Sequence, residues 1–399
     1  MNFTQYLKNN ENRNLSFLLL SHSDLDGYSP EILFEKALKE MKKEDRLYTV
    51  HMNAGKKLDI FINNCIQKKS FSSINNLHTR IGIDRNKLKE YGFNLSSPER
   101  RYGLQETDSI FISIDCIVVT DLFPQDYSTL CILNDLQKQY NIEYFIFDHH
   151  ISAYNVYNDK CDKYIKNDGQ IILDVDFRTQ NPYLKGRPCG TSLFSEAIIE
   201  YFGKNSTFSR NLYPYIELVR QWDTWDWKNL YPSNNPNLGP KKLNAIFSMT
   251  NKSEFVLKCI LMDHPEELIM EGSEYESLLK YQDFLIQKSI RDAKTNGVRY
   301  TLDNGYKMLI IGSYSVPIGE VADGIFLDKA YSDIAVVMSI NFNCVEFRSR
   351  NDKSIEFDCS KLAKELGGGG HEKASGAPIL SHVISFSDGK SKIEFKTKK

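Results

Sequence analysis

The 399-residue chain lacks any apolar run of the ~20 residues that a membrane-spanning helix requires, so its sequence predicts no membrane segment. It also lacks an excess of charge of either sign, because 50 Lys and Arg residues accompany 52 Asp and Glu residues. A general basic surface that holds long DNA through counterion release is therefore excluded, and any contact with nucleic acid should be local. Residues 1–20 lack the basic start and the cleavage site of a signal peptide.

The eight cysteines are scattered and include no CxxC pair, which argues against a zinc or redox motif. We expect reduced thiols in a cytoplasmic protein rather than a disulfide framework. Internal repeats and long low-complexity segments are also missing from the sequence. Hydrophobic residues make up 41% of the chain, which is enough for a sizeable buried core, and the length favours two domains over one.

The first half of the chain contains an alternation of strand and helix signals. Apolar runs predict buried strands at residues 15–21 and 144–147. Helical spacing of apolar residues predicts helices over residues 30–43, 128–140, 192–202 and 212–220. This alternation predicts an α/β fold with a mostly parallel sheet flanked by helices. Ligands of such sheets bind at the carboxyl ends of the strands.

The pattern changes in the last third of the chain. A long helical pattern of mixed charge precedes further strand and helix candidates, which lie at residues 306–311, 317–326, 334–340, 345–349 and 359–366. We therefore predict an N-terminal domain over residues 1–250, a helical connector over 251–298 and a smaller α/β domain over 299–399.

Polar residues follow the first predicted strand in the order Ser-His-Ser-Asp-Leu-Asp-Gly, at residues 21–27. In an extended segment, His22, Asp24 and Asp26 would lie on one side, because side chains repeat every second residue. Carboxylates with an imidazole suit Mn²⁺ or Mg²⁺ better than a metal that seeks thiolates. Taken alone, this pattern is also a common turn and helix-capping sequence.

Two further carboxylates are predicted as ligands, and each has a rival. Asp115 follows the β-prone run 109–114, whereas Asp121 would be the ligand if that strand continued through the β-branched residues that come next. We favour Asp115, because a strand of about twelve residues is longer than most. Asp223 lies between two tryptophans, and Asp226 is its rival.

Asp148, His149 and His150 close the predicted strand 144–147. Two adjacent histidines at a strand end point in different directions, so one can bind metal while the other faces a substrate. The carboxylate of Asp148 can orient an imidazole.

A run of four glycines precedes His371. Consecutive glycines are costly in backbone entropy, and they are useful where backbone N–H groups must approach an anion closely. Arg348, near the end of a predicted strand, could add a bidentate phosphate contact. We therefore predict a phosphate-binding site from these residues.

In this order, the motifs resemble those of the DHH phosphoesterase superfamily, in the branch with a C-terminal DHHA1 domain. The nearest likeness is to the nanoRNase-like oligoribonucleases. The resemblance rests on residues 21–27, Asp115, residues 148–150, Asp223, Phe-Arg-Ser at 347–349 and Gly-Gly-Gly-His at 368–371. It covers nearly the whole chain.

The resemblance implies a two-manganese centre in the N-terminal DHH domain, with Mg²⁺ as an alternative, and a substrate-binding DHHA1 domain. The implied metal ligands are His22, Asp24, Asp26, Asp115, His149 and Asp223. The implied catalytic residues are His150, against the scissile phosphate, and Asp148. The implied substrate-binding residues are Arg348, Gly368, Gly369, Gly370 and His371.

The implied activity is the hydrolysis of short oligonucleotides to mononucleotides by a manganese-dependent, two-metal phosphodiesterase. RNA and DNA are both open as substrates, and a homodimer is also open. The alternatives are a phosphoesterase of linear or cyclic dinucleotides or of 3′-phosphoadenosine nucleotides, a single-stranded DNA exonuclease of the same superfamily, and a non-catalytic nucleotide-binding module.

Overall fold

The computed structural model of the chain describes residues 1–73, 76–102, 109–150, 153, 156–157, 170–174, 186–227, 238–302, 305–313, 318–328, 332–339, 344–350, 355–365, 368–378, 384–387 and 392–395. It divides into two compact units, Met1–Glu276 (unit 1) and Ser277–Lys399 (unit 2). The predicted connector is therefore divided between the two units. Helix Lys252–Leu261 packs against helix Leu25–Glu40 within unit 1, and the long helix begins only at Glu276.

The helices of unit 1 are α1 (Phe3–Asn9), α2 (Leu25–Glu40), α3 (Lys57–Cys65), α4 (Arg85–Glu90), α5 (Pro98–Arg101), α6 (Tyr127–Tyr140), α7 (Gly190–Phe202), α8 (Thr207–Asp223), α9 (Gly239–Met249) and α10 (Lys252–Leu261), followed by a 3₁₀ turn at Pro265–Ile269. Its strands are β1 (Ser16–His22), β2 (Arg46–Met52), β3 (Ile66–Ser73), β4 (Asn76–Asp84), β5 (Phe111–Ser113), β6 (Cys116–Thr120), β7 (Glu143–Asp148) and β8 (Ile171–Leu173).

The main sheet of unit 1 has five parallel strands in the order β2-β1-β6-β7-β8. Strands β1 and β6 lie at its centre, and residues 17–20 and 116–119 are completely buried. Helices on both faces explain why these strands are near-continuous apolar runs rather than alternating ones. The prediction of a mostly parallel sheet flanked by helices is confirmed.

The strand order reverses between β1 and β6. From β1 the chain moves outward to β2, and it later returns to the other side of β1 to form β6. In the register of this pair, Ser21 lies beside Thr120, so the two strands end side by side. A crevice at such a reversal is where open α/β sheets bind their ligands.

A separate antiparallel sheet in unit 1 has the order β3-β4-β5. The β-prone stretch from residue 109 to Thr120 is thus two strands in two different sheets. Between them, the N–H of Ile114 donates to Ile81 and the N–H of Asp115 donates to Ser16. The break therefore lies just before β6, and Asp115 precedes the parallel strand instead of ending it.

The helices of unit 2 are α11 (Glu276–Asn296), α12 (Ile318–Phe326) and α13 (Cys359–Glu365). The first residue of α11, Glu276, is the last residue of unit 1. Its strands are β9 (Val298–Thr301), β10 (Lys307–Ser313), β11 (Ile334–Ser339), β12 (Cys344–Ser349), β13 (Gly369–His371), β14 (Ala374–Pro378), β15 (Ile384–Ser387) and β16 (Lys392–Phe395). Six of them form a mixed sheet in the order β13-β14-β12-β11-β10-β9.

Alternating residues of β10 divide the core of unit 2 between the two faces of this sheet. Met308 and Ile310 pack with residues of α13, whereas Leu309 and Ile311 pack with residues of α11 and α12. This period of two is expected for a sheet that is covered on both faces. The prediction of a smaller C-terminal α/β unit is confirmed.

None of the helices in the described ranges combines the length and the apolar character that a bilayer crossing requires.

A buried cluster of charges joins three elements of unit 1. Arg101 of α5 forms ion pairs with Glu31 and Glu35 of α2, and it also donates to the carbonyl of Leu47 in β2. His51 of β2 lies 2.7 Å from Glu31 through Nε2. Burial alone would raise the pKa of Glu31, but the hydrogen bond from His51 and the charge of Arg101 lower it to about 2.

The lowered pKa of Glu31 makes a testable prediction about acid stability. Its contribution to the free energy of unfolding is present above pH 4.5 and is lost as the pH falls toward about 2. We expect Glu31→Gln to reduce that free energy by about 3 kcal/mol at pH 7 because it leaves Arg101 poorly compensated. In urea unfolding, this deficit should narrow as the pH falls through that window.

Glu35→Gln is the matched control for Glu31→Gln, since burial raises the pKa of Glu35 instead of lowering it. The wild-type protein should gain stability relative to this variant as the pH falls. A deficit of Glu31→Gln that is independent of pH would contradict the assignment of Glu31 as a stabilising buried carboxylate.

Candidate metal centre

Several polar side chains meet where β1, β6 and β7 end. His22 is the last residue of β1, Asp121 directly follows β6, and Asp148 is the last residue of β7, with His149 next to it. Because the strands are parallel neighbours, their carboxyl ends lie at one edge of the sheet. As predicted, His22, Asp148 and His149 therefore lie at the carboxyl ends of neighbouring parallel strands.

Asp121 lies at the centre of this group. Its Oδ1 is 3.2 Å from Nε2 of His149 and 3.7 Å from Nδ1 of His150. Its Oδ2 is 3.5 Å from Nδ1 of His22, and the same His22 nitrogen is 2.8 Å from Asp24. The backbone of Asp121 is in the left-handed region with φ 56°, which Asp tolerates better than most residues.

The prediction of Asp115 as a ligand is wrong in this structure, and its rival Asp121 takes the place. Asp115 lies directly before β6, at the amino ends of the parallel strands, where its Oδ2 accepts a hydrogen bond from the N–H of Ser16. The strand that ends at the site is Cys116–Thr120. The sequence did not reveal that residues 111–113 pair with another sheet.

Asp26 and Asp223 complete the group around His149. Nε2 of His149 is 3.4 Å from Asp223 and 3.9 Å from Asp26. Asp26 is buried, and its two carboxylate oxygens accept hydrogen bonds from the N–H groups of Gly190 and Thr191 at the start of α7. The N-terminus of a helix favours a negative charge in this position.

Gly190 allows α7 to approach the centre this closely. A Cβ atom at this position would lie 2.6 Å from Cβ of Asp121, a distance that side chains essentially never show. Any other residue would push α7 and Asp121 apart. Gly190 and Thr191 were missed in the sequence, although a threonine directly before the predicted helix 192–202 was a visible signal of a helix start.

The structure distinguishes Asp223 from its rival. Asp226 forms an ion pair with the buried guanidinium of Arg220 at 2.5 Å, so its charge is already compensated. Asp223, the last residue of α8, lies instead beside His149. Asp223 is therefore the candidate ligand.

Asp148 acts on the two histidines that follow it. Its Oδ1 accepts hydrogen bonds from the N–H of His149 at 2.8 Å and from Nδ1 of His150 at 2.7 Å. This contact fixes the ring of His150 through Nδ1. The His150 side chain is 35% exposed, more than His22 at 25% or His149 at 14%. His150 is thus the imidazole of this group that is most open to a substrate.

The pKa values of the carboxyls reflect this crowding. Burial, together with the charges of Asp121 and Asp223, raises the pKa of Asp26 well above its ordinary value. Burial also raises the pKa of Asp223, to about 6. For Asp121, burial acts in the same direction, but the imidazoles of His149 and His22 outweigh it and lower the pKa.

The histidines respond in the opposite sense. Burial lowers the pKa of His22, yet the neighbouring carboxylates of Asp24 and Asp121 raise it to about 11. The pKa of His150 is raised to about 9, chiefly by the hydrogen bond to Asp148 against the effect of burial. The carboxylates at the carboxyl ends of these strands thus favour positive charge on the groups beside them.

Three overlapping sets of side chains have ligand atoms within 4.8 Å of one another. They are His22, Asp24 and Asp121; Asp26, His149 and Asp223; and Asp121, Asp148, His149 and His150. Asp121 and His149 each belong to two sets. An arrangement with shared carboxylates is suited to two neighbouring divalent ions.

Comparison with known proteins places this geometry in context. No family model matches the chain. The curated oligoribonuclease NrnB of Bacillus subtilis (strain 168) is 32% identical over 171 residues, which are 42% of this chain. The matched part spans only 40% of the length of that relative.

Two solved structures share the architecture. The DHH domain of a protein described as a member of the s1p family of ribosomal proteins aligns over 94% of this chain and 84% of its own, with a TM-score of 0.52 and 14% identity. The chain has the DHH fold. RecJ of Thermus thermophilus, solved in complex with Mn²⁺, aligns over 94% of this chain and 51% of its own, with a TM-score of 0.51 and 12% identity.

The donor set of this DHH fold fits hard divalent cations. Among the described residues, Oδ1 of Asp121 and Nε2 of His149 are buried without a hydrogen-bond partner, although they lie 3.2 Å apart. Such atoms are normally satisfied, and a cation between them would satisfy both. Carboxylates with imidazoles are ligands for Mn²⁺ or Mg²⁺.

The predicted phosphate-binding residues of unit 2 lie close to one another in the sheet. Arg348 of β12 pairs with Ala374 of β14, which pairs with His371 of β13. The Arg348 guanidinium contacts Glu346 at 2.6 Å, and its Nε is buried without a partner among the described residues. Gly367 and the side chain of His371 lie outside the described part.

The glycine run leads directly into a strand. Gly369 to His371 form the edge strand β13, antiparallel to β14. A Cβ atom at Gly368 would lie 2.0 Å from the carbonyl oxygen of Gly376, so the approach of the two strands requires glycine there.

Asp121 and Asp115 give a direct test of the metal ligands. We expect Asp121→Asn to weaken Mn²⁺ binding by at least about 100-fold, because it removes the carboxylate shared by two sets of ligands. The measurement is titration of the purified protein with Mn²⁺, followed by the electron paramagnetic resonance signal of the free ion.

Asp115→Asn is the matched control, since it makes the same substitution at the amino end of β6, away from the metal centre. It should leave Mn²⁺ affinity within about twofold of wild type. Equal losses in the two variants would contradict the assignment of Asp121.

Proposed function

We propose that the protein is a divalent-metal-dependent phosphodiesterase that hydrolyses short oligonucleotides to mononucleotides, with two Mn²⁺ ions as its cofactors. The observation that carries this proposal is the buried, unsatisfied pair of Asp121 Oδ1 and His149 Nε2 among the carboxylates of Asp26 and Asp223. Such a centre has few uses other than binding cations. The name of the relative NrnB, an oligoribonuclease, supports the choice of substrate.

The ions, when bound, would supply positive charge to a phosphate group and increase the acidity of water near it. The residues of the chain would hold this centre rigidly. His22, Asp24, Asp26, Asp121, His149 and Asp223 are the proposed ligands. Most of them stand at ends of buried strands or on helix termini, so they need little reorganisation during the reaction.

His150 is the residue we propose to contact the scissile phosphate. Its Nδ1 is held by Asp148, so Nε2 is the nitrogen that remains for a substrate. The hydrogen bond to Asp148 raises the pKa of His150, which favours the protonated imidazole and a hydrogen bond donated from Nε2. A charged donor of this kind stabilises negative charge that develops on a phosphate oxygen.

In unit 2, we propose that Arg348, Gly368 to Gly370 and His371 bind the terminal phosphate of the substrate. The row formed by Arg348, Ala374 and His371 supports this assignment. An arginine fork and backbone N–H groups are both suited to phosphate. A terminal-phosphate site selects short oligonucleotides and is insensitive to their sequence.

The test is a time course with 5′-labelled RNA as a dinucleotide, a pentanucleotide and a single strand of about 24 nucleotides, together with linear diadenylate. We expect mononucleotides from all RNA substrates in Mn²⁺, fastest from the shortest, and no products with a chelator. The Asp121→Asn variant should be inactive, and Asp115→Asn should retain activity.

Other outcomes of this time course would indicate a different activity. Faster loss of the long strand than of the short substrates would favour a single-strand exonuclease. Cleavage of the two dinucleotides alone would favour a dinucleotide phosphodiesterase. If none of the substrates were cleaved, the proposal would fail.

A further inference from the structure

A chain of buried polar side chains leads from the interior of unit 1 to the candidate metal centre. It consists of Arg101, Glu31 and His51, and we call it the Arg101–Glu31–His51 chain. The side chains are 2%, 2% and 8% exposed. Its last member, His51, contacts the backbone of His22, a proposed metal ligand.

Both ring nitrogens of His51 are occupied. Nε2 lies 2.7 Å from a carboxylate oxygen of Glu31, and Nδ1 lies 3.2 Å from the carbonyl oxygen of His22. A carboxylate and a carbonyl are both acceptors, so each contact is made by an N–H on the ring nitrogen that faces it. His51 therefore connects a buried carboxylate to the backbone of the metal centre.

Packing fixes the plane of the His51 ring. Tyr28, in the first turn of α2, stacks on it with 3.5 Å between ring centroids and 12° between planes. Phe247 lies against Tyr28 at 5.3 Å. A ring that is held on its face and at both nitrogens has one position, so the direction of its bond to His22 is also fixed.

The rest of the chain is built to hold Glu31 in place. Arg101 contacts Glu31 and also Glu35 and the carbonyl of Leu47, and Ser96 donates to Glu31 at 3.2 Å. Buried ions are costly to desolvate, and well-packed apolar residues would often stabilise a core at least as well. Stability alone therefore does not explain why this chain of charges ends at a proposed metal ligand.

The contact at His22 lies where the chain leaves β1. The carbonyl of His22 belongs to the peptide bond that begins the turn toward α2. Holding this carbonyl fixes the peptide plane, and with it the direction in which the preceding Cα–Cβ bond of His22 points. Nδ1 of His22 then lies between Asp24 and Asp121.

We propose that His51 is a positioning residue of the metal centre: through its hydrogen bond to the His22 carbonyl, it holds the His22 imidazole ready to bind metal. The inference rests on the proposed function, because it takes His22 as a ligand. It assigns to the Arg101–Glu31–His51 chain the role of keeping the first ligand in place before an ion arrives.

The test compares three variants of the full chain. His51→Phe keeps a ring to stack on Tyr28 but removes both ring nitrogens. His51→Gln restores one amide donor. Asp45→Asn is the control: the side chain of Asp45 is buried beside the same two strands at their other ends, where it pairs with Lys43 at 3.2 Å and accepts from the N–H of Leu15.

The first readout is the Mn²⁺ affinity of each protein, measured without substrate by electron paramagnetic resonance. We expect His51→Phe to weaken binding by about 10–100-fold, the usual loss when a partner of a ligand is removed. His51→Gln should recover part of this loss. Asp45→Asn should lower the thermal midpoint yet leave Mn²⁺ affinity within about twofold of wild type.

The second readout is hydrolysis of an RNA dinucleotide at saturating Mn²⁺. A positioning role predicts that His51→Phe lowers kcat while KM for the dinucleotide changes little, since His51 does not contact the substrate. Mn²⁺ affinity of His51→Phe within twofold of wild type, or an equal loss in Asp45→Asn, would overturn the proposal.

The two readouts separate this inference from the proposed function. If the wild-type protein binds Mn²⁺ and His51→Phe weakens that binding, but no oligonucleotide is cleaved, the proposed function fails and the role of His51 stands. If the wild-type protein shows no saturable Mn²⁺ binding, both are overturned.

Discussion

Repulsion among buried carboxylates is the constraint on which the structure of unit 1 depends. Asp26, Asp121 and Asp223 all approach one imidazole, that of His149, at the carboxyl end of the main sheet. In a protein interior such charges interact far more strongly than in water. The arrangement is stable only if donors and cations surround it, and the nearby elements provide them. The N-terminus of α7 donates to Asp26, and histidines flank Asp121.

The path of the chain makes this concentration of charge attainable. The reversal of strand order between β1 and β6 creates a crevice at the carboxyl ends of these strands. The N-terminus of helix α7 packs against Asp121 at this crevice. Gly190 lets the helix backbone approach Asp121, so the end of the helix faces the carboxylates directly. Behind this layer, the Arg101–Glu31–His51 chain gives β2 and α2 a further contact with the strand end that carries His22.

Much of this could be predicted from local patterns, and the failures have physical causes. The buried strands were predicted correctly because their apolar runs are continuous. The side chains at their carboxyl ends, such as His22 and Asp148, were correctly predicted to lie together. Asp115 was misplaced because β propensity does not tell which sheet a strand joins. The strand formed by Gly369 to His371 was not predicted, since the close approach of β13 to β14 leaves no sign in the sequence other than glycine itself. Gly190 and His51 act through contacts distant in sequence, which no local pattern contains.

The complete burial of the central strands has a consequence for the protein without its ions. Small metal domains fold only when the metal binds, because nothing else orders their ligands. Here the ligand-bearing ends are attached to β1 and β6, whose apolar residues are fully buried in a large core. Folding, not metal, orders them. The chelated protein can therefore serve as a folded starting material, and reconstitution with one divalent ion at a time would measure ion selectivity separately from refolding.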